Sequence, residues 1–138
     1  MGCLCTNQLI KKVYKMKTLD SYFILFDEAR YSDESFDKLN DLFNNDIEFV
    51  LNQKTFKGKD AWKQFVKGVY QTNKDLKHMH NGWIEQEDGT FKTHWAICGN
   101  RFETGVYTQE GIDIARLDDE GKIIYLENQP KDKTLFSS

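Results

Sequence analysis

Two short runs hold the side chains best suited to moving protons: His78-Met79-His80 and Ile112-Asp113-Ile114. Side chains alternate across a strand, so His78 and His80 share a face, about 6.5–7 Å apart. A neutral imidazole there could pass a proton to or from a bound molecule. Asp113 ends a face whose preceding layers, Leu117 and Ala115, are apolar. A carboxylate over such a floor has a raised pKa, which suits acid–base chemistry near neutrality. Asn128 is its expected cross-strand partner. Each residue also has a plainer use. Asp113 and Asn128 could form a hydrogen-bonded pair that only shapes the interior, His78 could lie at a rim, and His80 could be a core histidine satisfied by backbone. Metal binding would need a third ligand. His94 points the opposite way in the expected pairing and no cysteine pair compensates, so no metal is expected.

These placements depend on two hairpins. Glu87-Asp88-Gly89-Thr90 predicts a two-residue turn, because Asp-Gly supplies the positive φ angles. Counting outward pairs Glu85 with Lys92, Trp83 with His94, Asn81 with Ala96 and Met79 with Cys98. The more apolar face then carries His78, His80, Ile84, Phe91, Trp95 and Ile97, and it is set against the core. Trp95 is expected on this face as core or as the wall of a binding site. Trp83 and His94 meet on the other face, where a dimer contact accounts for them. Asp118-Asp119-Glu120-Gly121 marks the second turn, with Glu120-Gly121 at its tip. It sets Leu117 against Ile124, Ala115 against Leu126 and Asp113 against Asn128. Arg116 with Tyr125 and Ile114 with Glu127 occupy the opposite side. A slip of one residue would exchange the two faces.

The preceding chain reads as helices. Leu19, Tyr22, Phe23, Phe26 and Ala29 repeat at helical spacing and predict a helix from about Thr18 to Tyr31. Ser32 is the expected N-cap of a second helix, lined by Phe36, Leu39, Leu42 and Phe43 and closed by Asn44-Asn45. Ile47-Glu48-Phe49-Val50-Leu51 follows as a strand. Gly58 introduces a third helix whose stripe is Ala61, Trp62, Phe65, Val66 and Val69. The sheet begins near Leu76, and the single proline, Pro130, stops it.

The 138 residues allow one domain with a real core. The 19 basic and 22 acidic residues are mixed along the chain for a net charge of −3, which gives nucleic acid no clustered basic face. No stretch has the roughly 18 uninterrupted apolar residues of a membrane span. Three cysteines argue against a disulfide framework, and Cys98 is expected as a small buried hydrophobe. Residues 1–17 form a leader or extension, 18–132 the domain and 133–138 a short tail. Met1-Gly2-Cys3-Leu4-Cys5-Thr6 fits the N-myristoylation pattern with adjacent palmitoylation sites, the alternative being a dispensable extension. Lys11, Lys12, Lys15 and Lys17 follow a short apolar run with no small-residue cleavage site. That is not a secretory signal, and the expected location is cytoplasmic.

Helices first and an antiparallel sheet after give an α+β domain. This order resembles the nuclear transport factor 2-like superfamily, and within it the SnoaL-like polyketide cyclase branch. The residues that carry the likeness are Asn45-Asp46-Ile47-Glu48-Phe49, Phe56-Lys57-Gly58-Lys59-Asp60-Ala61, and Ile112-Asp113-Ile114-Ala115-Arg116-Leu117 followed by Asp119-Glu120-Gly121-Lys122-Ile123. The resemblance implies a cone: a curved antiparallel or mixed sheet wrapped around three N-terminal helices, with a pocket at its open end. It also implies a homodimer through the outer sheet face. In SnoaL-like cyclases the aspartate matching Asp113 is a pocket acid/base. The expected function is binding of a small apolar carbonyl-type molecule, with cofactor-free isomerase, cyclase or dehydratase chemistry by Asp113 and His80. Asn128, Trp95 and His78 then line the substrate. The alternative is a non-catalytic binding or dimerisation module. Val50-Leu51-Asn52-Gln53 lacks the Asp-Pro step of ketosteroid isomerases, and Leu126-Glu127-Asn128 replaces a terminal His-Trp-Asp. Asp113 is therefore the one acid assigned to the pocket.

Overall fold

The computed structural model describes residues 17–132. Questions about the leader and the tail lie outside them. Helix α1 covers residues 17–28 and buries Leu19, Tyr22, Phe23 and Phe26 along one side. It stops short of the predicted end: residues 29–31 are a turn, and Tyr31 is 73% exposed. The Ser32 Oγ accepts the Ser35 N–H at 3.2 Å and starts α2 (Asp33–Asp41), with Asp33 and Glu34 in its first turn. Both devices satisfy the free N–H groups and the dipole of the helix start. Helix α2 ends before Asn44-Asn45, because Phe43 already opens strand β1 (Phe43–Leu51). Phe43, Ile47 and Phe49 are buried at even spacing, the periodicity of a strand rather than a helix. The hairpin then returns through β2 (Lys54–Lys57), a strand the sequence pattern does not signal, since all four residues are exposed.

Gly58, with φ 95°, turns the chain into α3 (Lys59–Thr72). Trp62 is the centre of the core, 1% exposed. Its ring lies 4.5 Å from Phe43, 5.5 Å from Phe49 and 5.6 Å from Phe65, with Tyr22 and Phe26 just beyond. Strands β3 (Asn73–His80), β4 (Ile84–Glu85), β5 (Phe91–Arg101), β6 (Gly105–Leu117) and β7 (Ile123–Pro130) complete one mixed sheet. Its order is β2-β1-β7-β6-β5-β3, with β4 also on β5, and β1 runs parallel to β7. The fold is an α+β cone with the helices inside the curve of the sheet.

Both turns differ from the two-residue form. The Asp88 carboxylate accepts from Thr90 N–H at 3.0 Å and Thr90 Oγ at 2.6 Å, and Gly89 has φ 85°. Gln86 and Thr90 close a loop of three residues, the form that places glycine in the left-handed position. The extra residue shifts the local register: Glu85 pairs with Phe91 and Ile84 with Lys92. Ile84 therefore faces outward at 65% exposure, and Trp83 faces inward at 4% exposure, stacked on Phe23. This corrects both placements, and Trp83 is not a dimer contact. The chain leaves the ladder around Gly82 and rejoins with His80 opposite Trp95 and Met79 opposite Ala96. That is two residues from the expected register, so β3 keeps the expected faces.

Asp118 organises the second turn in the same way, accepting from the Glu120 and Lys122 N–H groups at 2.9 Å each. Leu117 consequently pairs with Ile123, not Ile124. A bulge between Arg116 and Leu117 restores the expected register, so Ala115 meets Leu126 and Asp113 meets Asn128. Cys98 lies on the outer face and is exposed, correcting its expected burial.

Two glycines let β5 and β6 carry large rings on the concave side. A Cβ at Gly111 would fall 2.4 Å from the Trp95 indole, and one at Gly99 would fall 2.6 Å from the Tyr107 ring. Each glycine is the direct cross-strand partner of the ring that covers it. The Trp95 indole is thereby laid beside Asp113, two positions along β6 from Gly111.

Candidate active site

A cavity of about 660 Å³ opens between the concave face of the sheet and helices α1 and α3. Its walls are apolar: Phe26, Trp62, Phe65, Leu76, Ile97 and Leu126 all contribute. Asp113, Asn128, Trp95 and His78 line it as well, and Arg101 with the β5–β6 turn forms part of its edge. An apolar enclosure with a few convergent polar groups is the usual form of a small-molecule site.

Asp113 is 2% exposed. Burial, the largest influence, pushes its carboxyl up to about 7, against the opposing pull of the Asn128 amide and the Trp95 indole. Asn128 Nδ2 donates to Asp113 Oδ1 at 2.9 Å. The Trp95 N–H, by contrast, has no partner within hydrogen-bonding geometry, so it acts on Asp113 only as a weak, longer-range dipole. The carboxyl can therefore exist in either protonation state near neutrality, the condition a proton-transfer group needs. Tyr22 closes the same region from α1. Burial and then Asp113 hold its phenol well above its ordinary 10.0, so it stays protonated.

His78 is fixed from outside the sheet. Asp27 on α1 accepts the His78 backbone N–H at 2.8 Å through one oxygen and meets Nδ1 at 2.6 Å through the other. The ring is packed against Phe23 and Phe26, with centroids 5.0 Å away in each case. A carboxylate on Nδ1 selects the tautomer that leaves Nε2 as the acceptor in the neutral ring. His80 is not among the residues that line this cavity. It lines a second, more open depression with Asn52, His94 and Glu110, and its Nδ1 accepts the Gly82 N–H at 3.2 Å. Of the five residues singled out from sequence, four thus share the cavity and His80 lies beyond it. Among the described residues, no group of three or more His, Cys, Asp or Glu could hold a metal ion.

Sequence reasoning misses Tyr22 and Arg101 as cavity groups, and Asp27 as the residue that holds His78. Asp27 had a signal: it follows Phe23 by four residues and so lies beside the buried stripe of α1, an unusual place for an acid. Tyr22 is read only as part of that stripe. Arg101 had none, because nothing in the pattern locates the β5–β6 turn relative to α3.

The chain belongs to the SnoaL-like domain family, which matches residues 25–126. An NTF2-like protein of unknown function from Exiguobacterium sp. 255-15 is 52% identical, with a TM-score of 0.81 over 83% of this chain and 98% of its own. A candidate polyketide cyclase from Xanthomonas campestris pv. campestris shares the fold at 14% identity, with a TM-score of 0.67 over 86% of this chain and 90% of its own. The epoxide hydrolase/cyclase-like enzyme SalBIII, with a role in pyran ring formation in the polyether salinomycin, does so at 12% identity and a TM-score of 0.73, covering 88% and 93%. Among curated proteins there is no match. No helix among the described residues is long and apolar enough to cross a membrane.

Proposed function

We propose that the chain binds a small, largely apolar carbonyl-type molecule in the cavity and moves a proton on it without a cofactor, as an isomerase, cyclase or dehydratase. The observation that carries this reading is Asp113, buried at an apolar wall with its carboxyl raised to about 7. In this reading Asp113 gives or takes the proton. His78, oriented by Asp27, serves as the second proton-handling group in place of His80, since it shares the cavity with Asp113. Asn128 holds the Oδ1 atom of Asp113, and Oδ2 is the oxygen that reacts. The candidate polyketide cyclase and the epoxide hydrolase/cyclase-like enzyme that share the fold support the class of chemistry by analogy.

The second reading, a non-catalytic binding module, is favoured by the direct Asn128–Asp113 bond, which is how an interior carboxyl is held when it only shapes a cavity. A panel of enolisable ketones and epoxides separates the two. Turnover with a pH dependence centred near 7, lost in Asp113→Asn while ligand affinity is kept, is the expected result. Retained binding with no turnover anywhere in the panel replaces the enzyme by the binder.

A homodimer through the outer sheet face belongs to the same proposal. Arg116 lies over Tyr125 at 5.2 Å there, and Met79 on β3 is 53% exposed. Light scattering should give twice the chain mass, and Ile112→Glu, in the middle of that face, should return it to one. A wild-type monomer at high concentration would end the dimer proposal.

A further inference from the structure

Arg101 stands at the edge of the cavity, next to Phe102, Glu103 and Thr104 of the β5–β6 turn. Its guanidinium carbon is 4.1 Å from the centroid of the Tyr107 ring. Tyr107 is itself fixed, because its hydroxyl donates to Asn73 Oδ1 at 2.6 Å while Asn73 Nδ2 donates to the Val69 carbonyl at 2.9 Å. Gly99 lies beneath the ring, where any Cβ would fall 2.6 Å from it. Besides lying on the ring, the guanidinium interacts with the Tyr107 hydroxyl, which pulls against the rise that burial gives that phenol. Of its five N–H groups the remainder can still take a planar anion in two parallel hydrogen bonds. Among the described residues, no carboxylate is within ion-pair distance of Arg101. Glu103, exposed at the same edge, is the nearby charge that would oppose an anion.

The other end of the cavity has the opposite character. Asp113 pairs with Thr93, and Arg101 lies eight positions further along β5, from 93 to 101. That is about 26 Å of strand at roughly 3.3 Å per residue, shortened by the bend of the sheet and the reach of the arginine. The wall between the two groups is apolar. An anionic group is repelled at the Asp113 end and attracted at the Arg101 end, which fixes the direction of any charged guest.

We propose that the cavity takes an elongated, mainly aliphatic or aryl-alkyl carboxylic acid, with its carboxylate held by Arg101 at the edge and its uncharged end beside Asp113. This rests on the ligand-binding reading above and adds the class of ligand and its orientation to it.

The test uses the full chain and a neutral fluorescent reporter, N-phenyl-1-naphthylamine, displaced by decanoate or by decanol. Decanoate should displace it between about ten and a hundred times more effectively than decanol, the range of a charge-assisted hydrogen bond. Arg101→Met should erase that difference and leave decanol unchanged, while Glu103→Gln should widen it. Decanoate's advantage should also shrink with added salt. Equal displacement by the two compounds, or a preference that survives Arg101→Met, overturns the carboxylate proposal and leaves the ligand cavity standing. Val69→Trp, which fills the cavity from α3, should abolish reporter binding. A reporter that stays bound in that variant, or never binds the wild type, overturns the cavity reading and this proposal with it.

Discussion

Asp113 should leave its mark on stability as well as on chemistry. Its folded carboxyl is raised to about 7 from an ordinary 3.8, chiefly by burial. Below about pH 4 it is protonated in the folded and the unfolded chain alike, and it adds no pH dependence. As pH rises from about 4 toward 7, the unfolded chain releases the proton while the folded chain keeps it, so stability falls through that window and levels off above it. The full loss is on the order of 4 kcal/mol. Asp113→Asn, which cannot ionise, should be more stable than wild type at pH 8 and should lack the downward slope between pH 4 and 7. Urea denaturation at several pH values checks this. Equal slopes in both proteins would mean that the carboxyl is already ionised in the fold at pH 5. A site that weakens its own scaffold is the usual signature of a group retained for function.

At the scale of elements, the β1–β2 hairpin carries its own strain. Asn52 has φ 48° and Gln53 φ 75°, positions that glycine occupies without cost. Gln53 is exposed and lies in the left-handed region, where a non-glycine residue costs about 1–2 kcal/mol. Gln53→Gly should therefore stabilise the fold by about 1 kcal/mol, less the extra freedom glycine gives the unfolded chain, and a rise in the thermal midpoint reads it. This turn is also where sequence reading goes blind. The stripes of α1 and α3, the Ser32 cap and the pairing of Asp113 with Asn128 are all legible, because each rests on a periodicity or a local hydrogen bond. β2 is not, because a fully exposed edge strand has no apolar alternation to show. Trp83 and Ile84 are misplaced for a different reason: the Asp88 side chain captures Thr90, and one added loop residue is enough to exchange their faces. The Asp113 site escapes the same error only because the bulge after Arg116 cancels the added residue of the second turn.

For the molecule as a whole, the cavity lies beside an aromatic core, and a guest that binds only the folded chain must stabilise it. At a hundredfold excess over its dissociation constant, decanoate should add about 2.7 kcal/mol, roughly 8 °C in the thermal midpoint. Arg101→Met should lose about half or more of that increment when the two proteins are compared at the same decanoate concentration by thermal melts followed by circular dichroism.

The two rings seated on glycines have a consequence for how the longest hairpin finds its alignment. Trp95 needs Gly111 opposite it and Tyr107 needs Gly99, and both needs are met by a single offset of β5 against β6. A slide of two residues would preserve inside and outside, so hydrophobicity alone would not detect it. It would, however, drive the indole onto Gln109 or Asp113, and the phenol onto Ile97 or Arg101. The pair works like a key with two notches: an incorrectly zipped strand jams at both, and the fold proofreads the very alignment that delivers its acid to the cavity.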